Sequence, residues 1–173
     1  MPATQEGLLT LEEFRVRYAG EKPSYEYWAG EAIQKSMATF PNGLIQKILM
    51  RLLDEIGYES ASEVTLRIDK DYEPVPDVIA VDPPLPQTYP THAFAVVVEI
   101  LSPDDPFSRV LRKCRLYERW GIERIIVIDP IARLVWSFEN GTLIETAVLG
   151  RRGTKEATVF ELWAEVDRRM AAS

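Results

Sequence analysis

The sequence contains one cysteine, Cys114, and one histidine, His92. A single thiol excludes an internal disulfide and any cysteine-built zinc centre, and a single imidazole excludes a multi-histidine site. Any resident metal must therefore be held mainly by oxygen, which points to magnesium, manganese or calcium. Long apolar runs are missing as well: none approaches the roughly 20 residues that a helix needs to cross a bilayer. Residues Met1–Thr10 lack the basic start and apolar core of a signal peptide. Both absences give the expectation of a soluble, cytoplasmic protein. Positive charge is scarce too, with 20 Lys and Arg against 27 Asp and Glu, a formal charge of −7. Domains that bind nucleic acid usually present a basic face, so this balance argues against an extended phosphate-binding surface but not against a local one.

What is present suits one globular α/β domain spanning residues 1–173. The length fits one core, and 46% hydrophobic with 27% charged residues lies near the globular average. Thr10-Leu-Glu-Glu13 is a capping-box pattern that opens a short helix through about Tyr18. Tyr25 to Met37, with Ala29-Gly30 at its middle, reads as a hairpin. Asn42 to Ile56 has helical apolar spacing and is closed by Gly57. Three strands are expected next: a half-exposed one at Val64, Leu66 and Ile68, then Val75 to Val81 and Ala93 to Leu101, both more continuously apolar. Four prolines make Asp82 to His92 irregular. A helix from about Pro106 to Trp120, closed by Gly121, leads to a strand at Glu123 to Asp129. Asn140-Gly141 turns a hairpin between Arg133–Phe138 and Thr142–Leu149, and Thr158 to Met170 forms a last amphipathic helix. The strand–helix–strand step after an antiparallel meander implies a mixed sheet flanked by helices.

Three residues break these patterns in a way that suggests chemistry. Asp77 follows Pro76 and opens an apolar run. Glu99 interrupts a buried strand, where an unpaired carboxylate is costly unless a cation or a proton relieves it. If the two strands pair, they lie about 4.8 Å apart, and both acids can share one divalent ion. Lys113 lies beside the apolar stripe Phe107, Val110, Cys114 and Tyr117, whereas Arg112, Arg115 and Arg119 face away from it. Its stem can pack while its ammonium reaches a semi-buried site.

The ordered series Pro76-Asp77-Val78, Val98-Glu99-Ile-Leu-Ser102-Pro103, Lys113 with Tyr117, Gly121 and Asp129-Pro130 resembles the Uma2 family of restriction-endonuclease-like proteins, a branch of the PD-(D/E)XK nuclease superfamily. Tyr25-Glu26 and Gly30-Glu31 resemble that family's N-terminal hairpin, and the likeness runs from about Leu9 to Asp129. The resemblance implies a restriction-endonuclease-like core and metal-dependent hydrolysis of DNA phosphodiester bonds. It implies Mg2+ or Mn2+ held by Asp77 and Glu99 with Ile100, a water-orienting Lys113, and Glu26 as an additional acidic member. Two positions depart from the pattern. Leu101 stands where the superfamily's lysine usually follows the acid, which moves that role to Lys113. Asn42-Gly43 stands where family members tend to carry a histidine. Cleavage of both DNA strands requires two sites, so a homodimer is expected by analogy.

Plainer readings stand beside these. Asp77 suits a turn after proline, Glu99 suits a metal-free buried ion pair with Lys113, and Glu26 suits a solvated strand position. Ser102 to Asp105 most simply caps the following helix. His92 reads as solvated, and Cys114 as inert core. Two other functions follow from them: a catalytically inactive nuclease fold that binds a protein partner, or a hydrolase of a small phosphodiester that needs no basic groove.

Overall fold

The computed structural model describes residues 7–172. Its centre is β6 (Val96–Ile100), four β-branched residues and Glu99, buried along its whole length. Helix α1 (Leu11–Tyr18), hairpin β1 (Tyr25–Trp28) and β2 (Glu31–Gln34), and helix α2 (Phe40–Glu55) precede it. So do the short strands β3 (Glu59–Ser62), β4 (Tyr72–Glu73) and β5 (Val78–Val81). After β6 come helix α3 (Phe107–Trp120), then β7 (Arg124–Asp129), β8 (Leu134–Glu139) and β9 (Thr142–Glu145). Hairpin β10 (Val148–Arg152) and β11 (Lys155–Thr158) leads into helix α4 (Val159–Ala171).

Six strands form the main sheet in the order β3-β5-β6-β7-β8-β9. Its one parallel pair, β6 with β7, is joined across α3, and the other neighbours are antiparallel. This is the mixed sheet flanked by helices that the residue pattern implies. A three-stranded sheet, β2-β1-β4, carries the N-terminal hairpin. No helix among the described residues is long and apolar enough to cross a membrane.

Alternation along each strand divides the core between the two faces. Val78, Val96, Val98, Ile126 and Ile128 pack with Ile48, Leu49 and Leu53 of α2 and Leu162 of α4. On the opposite face Ile79, Val97, Ile125 and Val127 pack with Val110, Cys114 and Tyr117 of α3. Each large aliphatic side chain removed from water in this way contributes about 1.5–3 kcal/mol. The same parity decides where the acids point. Asp77 and Glu99 are two residues from Ile79 and Val97, so both belong to the α3 face. The register Val78↔Val98, continued by one residue, sets them opposite each other.

Several expectations need correction. Residues 64–68 form no strand. Leu66 is fully buried, but its N–H donates to the Pro74 carbonyl while Arg67 donates to that of Pro90, so no single partner offers a ladder. The edge of the sheet is taken instead by polar Glu59–Ser62, which pairs with all of β5. The chain leaves the sheet at Glu63, whose φ is +55°. Thr142–Leu149 is not one strand, because β9 ends at Glu145 and Val148 begins a separate hairpin. Helix α2 starts at Phe40, two residues early, since Thr39 accepts from the Asn42 N–H and Pro41 fits the first turn. Phe107 is exposed rather than part of the core stripe. Ser102–Asp105 makes no side-chain cap on α3; Asp105 instead accepts from Ser36 Oγ at 2.7 Å and from Arg109 at 3.4 Å.

Candidate active site

Lys113 and Glu99 form a buried polar cluster under the α3 face, each only 4% exposed. Lys113 reaches it because it lies one turn before Tyr117 on α3, on the face turned to the sheet. Its Nζ sits 2.8 Å from Glu99 Oε1 and 2.7 Å from Glu26 Oε1, with the Val75 carbonyl at 3.5 Å. Tyr117 donates its hydroxyl to Glu99 Oε1 at 2.6 Å. Glu26, 2% exposed on β1, accepts from the Val75 N–H at 2.7 Å and from Trp28 Nε1 at 3.3 Å. Such a cluster tolerates burial because nearly every donor and acceptor finds a partner.

Burial pushes Glu99 up to about 7 against the pull of Lys113, with Asp77 adding to the rise. For Lys113, burial pulls downward but Glu26, Glu99 and Asp77 outweigh it, so the ammonium is held above its ordinary range. Burial first, then Glu99, keeps Tyr117 well above the usual phenol range, so it stays a hydroxyl donor. The plainer reading of Glu99 as an ion-pair partner of Lys113 is therefore part of the geometry. Burial of Glu26, by contrast, removes the solvated-strand alternative for that residue.

Asp77 lies where this cluster meets a cavity of about 60 Å³. The cavity has room for a few water molecules, each needing about 10–15 Å³ on this measure. Asp77 Oδ2 accepts from the Ile100 N–H at 2.6 Å, while Oδ1 is 2.9 Å from Lys35 Nζ. Ile100 lines the same cavity, with its side chain packed on the α2 face and its main chain beside Asp77. The lining holds five carboxylates, Glu26, Glu63, Asp77, Glu99 and Asp105, against three cationic side chains, Lys35, Arg109 and Lys113. Carboxyl groups outnumber cationic side chains, so the lining is rich in oxygen ligands of the kind a hard cation takes.

Does this donor set suit a divalent ion? Among the described residues no three His, Cys, Asp or Glu side chains converge as a ready-made metal cage. Magnesium, however, commonly binds through one or two carboxylates and keeps several of its waters. Asp77 and Glu99, set opposite each other by the strand register beside a small cavity with an excess of oxygen ligands, fit that habit.

Lys35, Gln46 and Glu63 join the site without a clear mark in the sequence, and Asn42 joins it from the position where the family tends to carry a histidine. Lys35, just after β2, reaches both oxygens of Glu63, at 3.1 and 3.0 Å, as well as Asp77. Gln46 of α2 donates to Glu63 Oε1 at 3.1 Å and to the Asp77 carbonyl at 3.0 Å. Asn42 donates to the Leu101 carbonyl at 3.4 Å. Each stands at an element end or on a half-polar helix face, where a polar residue is unremarkable.

Comparison with known proteins places the fold. A crystal structure described as that of "a putative nuclease" from Anabaena variabilis superposes with a TM-score of 0.77 at 19% identity. The match covers 91% of this chain and 99% of that one. A cryo-electron-microscopy structure of a DrdV–DNA complex aligns with a TM-score of 0.41 at 17% identity, over 71% of this chain and 10% of that one. No curated protein sequence matches. The family model described as "Putative restriction endonuclease" matches residues 11–167, and the chain belongs to that family, Uma2.

Proposed function

We propose that this protein is a metal-dependent endonuclease that hydrolyses phosphodiester bonds of DNA through Asp77, Glu99 and Lys113. One observation carries the reading. Residues far apart in the chain (Glu26 on β1, Glu99 on β6 and Lys113 on α3) meet in one buried cluster, and Asp77, just before β5, lines the small acidic cavity on which it opens. Membership of a family described as restriction endonucleases supports it. Asp77 and Glu99 would hold Mg2+ or Mn2+, with Ile100 contributing through its main chain. A bound divalent ion supplies polarisation of a phosphoryl oxygen and a lowered pKa for water.

The chain's own residues supply the rest. Glu26, Glu99 and the Val75 carbonyl fix the Lys113 ammonium by three contacts, so it is oriented before substrate arrives. Held protonated, Lys113 would exchange its long 3.5 Å contact with the Val75 carbonyl for the attacking water, keep Glu26 and Glu99, and stabilise negative charge that grows on the phosphoryl group. Tyr117 fixes the rotamer of Glu99 and leaves its second oxygen free. Two copies of the site, as in a homodimer, would be needed to cut both strands.

A second reading is favoured by the ion pairs and the charge of −7: a nuclease fold that no longer cleaves. Incubation with supercoiled plasmid, single-stranded DNA and a model phosphodiester, in Mg2+, Mn2+ or EDTA, separates the possibilities. The proposal expects DNA cleavage in either metal and none in EDTA. Turnover of the model phosphodiester alone would indicate a small-molecule substrate, and no turnover at all would leave the non-catalytic reading.

A further inference from the structure

The two lysines of the site are held differently, and the difference has a use. Lys113 is enclosed by Glu26, Glu99 and the Val75 carbonyl, and its side chain is 5% exposed. Lys35 faces the cavity, its side chain 13% exposed, and among the described residues its ammonium pairs with Asp77 and Glu63. Its main chain is anchored by an N–H donated to the Ser24 carbonyl at 2.9 Å, so only the side chain needs to move.

On Asp77, Oδ2 is taken by the Ile100 N–H at 2.6 Å, and Oδ1 is the oxygen that Lys35 holds at 2.9 Å. A cation entering the cavity competes for that same Oδ1. Two positive centres crowded on one carboxylate oxygen repel one another, and little bulk water is present to screen them. Glu63 offers the displaced ammonium a second seat. Both of its oxygens already contact Lys35, and Gln46 steadies it from α2.

We infer that Lys35 is a built-in counter-ion that occupies the cation position at Asp77, leaves it for Glu63 when a divalent ion binds, and so sets the affinity of the site for that ion. The inference rests on the reading of Asp77 and Glu99 as cation ligands. Lys35 touches no reacting atom in this scheme. It is a positioning residue that acts through Asp77.

Linkage makes the effect reciprocal: whatever factor the ion imposes on the Lys35–Asp77 contact, Lys35 imposes on the ion. Calorimetric titration of Mn2+ into wild type, Lys35→Gln and Asp77→Asn reads this without any activity assay. Lys35→Gln should bind Mn2+ roughly fivefold or more tightly than wild type, in the usual range of site-to-site coupling, and Asp77→Asn should abolish binding. Equal or weaker affinity in Lys35→Gln overturns the inference while leaving the cation site intact. If neither wild type nor Lys35→Gln shows binding that depends on Asp77, the reading of the cation site itself fails, and the inference with it.

Glu63→Gln separates seat from ligand. It should weaken Mn2+ binding in the wild type and have no effect in the Lys35→Gln background; an equal loss in both makes Glu63 a ligand and removes the second seat. Should Lys35→Gln not fold, the wild type still decides. Acetylation of Lys35, followed by peptide mass spectrometry, should become severalfold faster on adding Mg2+ while Lys113 stays protected. No change at Lys35 under saturating Mg2+ contradicts the displacement.

Discussion

A carboxylate in the middle of a strand whose neighbours are valines and isoleucines has to be explained by its partners. Glu99 has Lys113 and Tyr117 on one oxygen, and burial still holds its pKa at about 7 instead of the usual 4.5. The sign of the consequence is fixed by proton counting. Between these two values the folded protein retains a proton that the unfolded chain has lost, so the contribution of Glu99 to stability is fully present below pH 4.5 and falls as pH rises towards 7. Urea unfolding in EDTA should therefore show a higher midpoint at pH 5 than at pH 7. Glu99→Gln should flatten that difference, and a slope that survives the substitution would assign it to another group. At this scale the sequence was legible where a residue contradicted its surroundings. Glu99 breaks an apolar run and Lys113 sits on the wrong side of a helix for a solvated lysine. Glu26 was half visible, since an acid in a short strand is usually solvated, and only the fold shows that β1 lies over α3's lysine. Lys35, Gln46 and Glu63 contradict nothing around them, and their role exists only because three separate segments converge.

Elements were legible where capping and periodicity agreed. The capping box of Thr10 with Glu13 starts α1 as the spacing implies, Gly121 closes α3 at φ +100°, and the structure adds a second box, Thr158 with Glu161, at the start of α4. The misplaced elements share a cause, which is that pairing partners decide a short strand. Glu59–Ser62 is too polar to announce itself and is a strand because β5 offers it an edge. Residues 64–68 alternate well but face two different segments. The β10–β11 hairpin turns at Gly153, φ +61°, between charged residues that read as a loop. For α4, the Thr158 hydroxyl accepts from the Glu161 N–H while Glu161 returns the contact to the Thr158 N–H. Removing this cap by Thr158→Ala should cost about 1 kcal/mol, read as a lowered urea midpoint with Mn2+ affinity unchanged. An unshifted midpoint would mean that packing of Leu162 on α2 alone fixes the helix.

For the molecule as a whole, the mixed sheet, α2 and α4 on one face and α3 on the other serve to bring one carboxylate from each of two adjacent strands to a small cavity. A third carboxylate and a lysine stand behind them. A charge of −7 and a cavity rich in carboxylates suit the capture of a cation better than the wrapping of an extended duplex. Contact with DNA would then be local to the cavity mouth, with weaker salt dependence than a basic groove gives. If one cluster performs metal-dependent cleavage, removing either its acid or its lysine must abolish the reaction. Cleavage of a labelled DNA oligonucleotide is measured under single-turnover conditions in Mn2+ for wild type, Glu99→Ala and Lys113→Ala, each confirmed folded by circular dichroism. The wild type should cleave, and each variant should lose at least roughly a hundredfold in rate, as happens when a preorganised electrostatic contact is removed. Cleavage that persists at wild-type rate in both folded variants would contradict it.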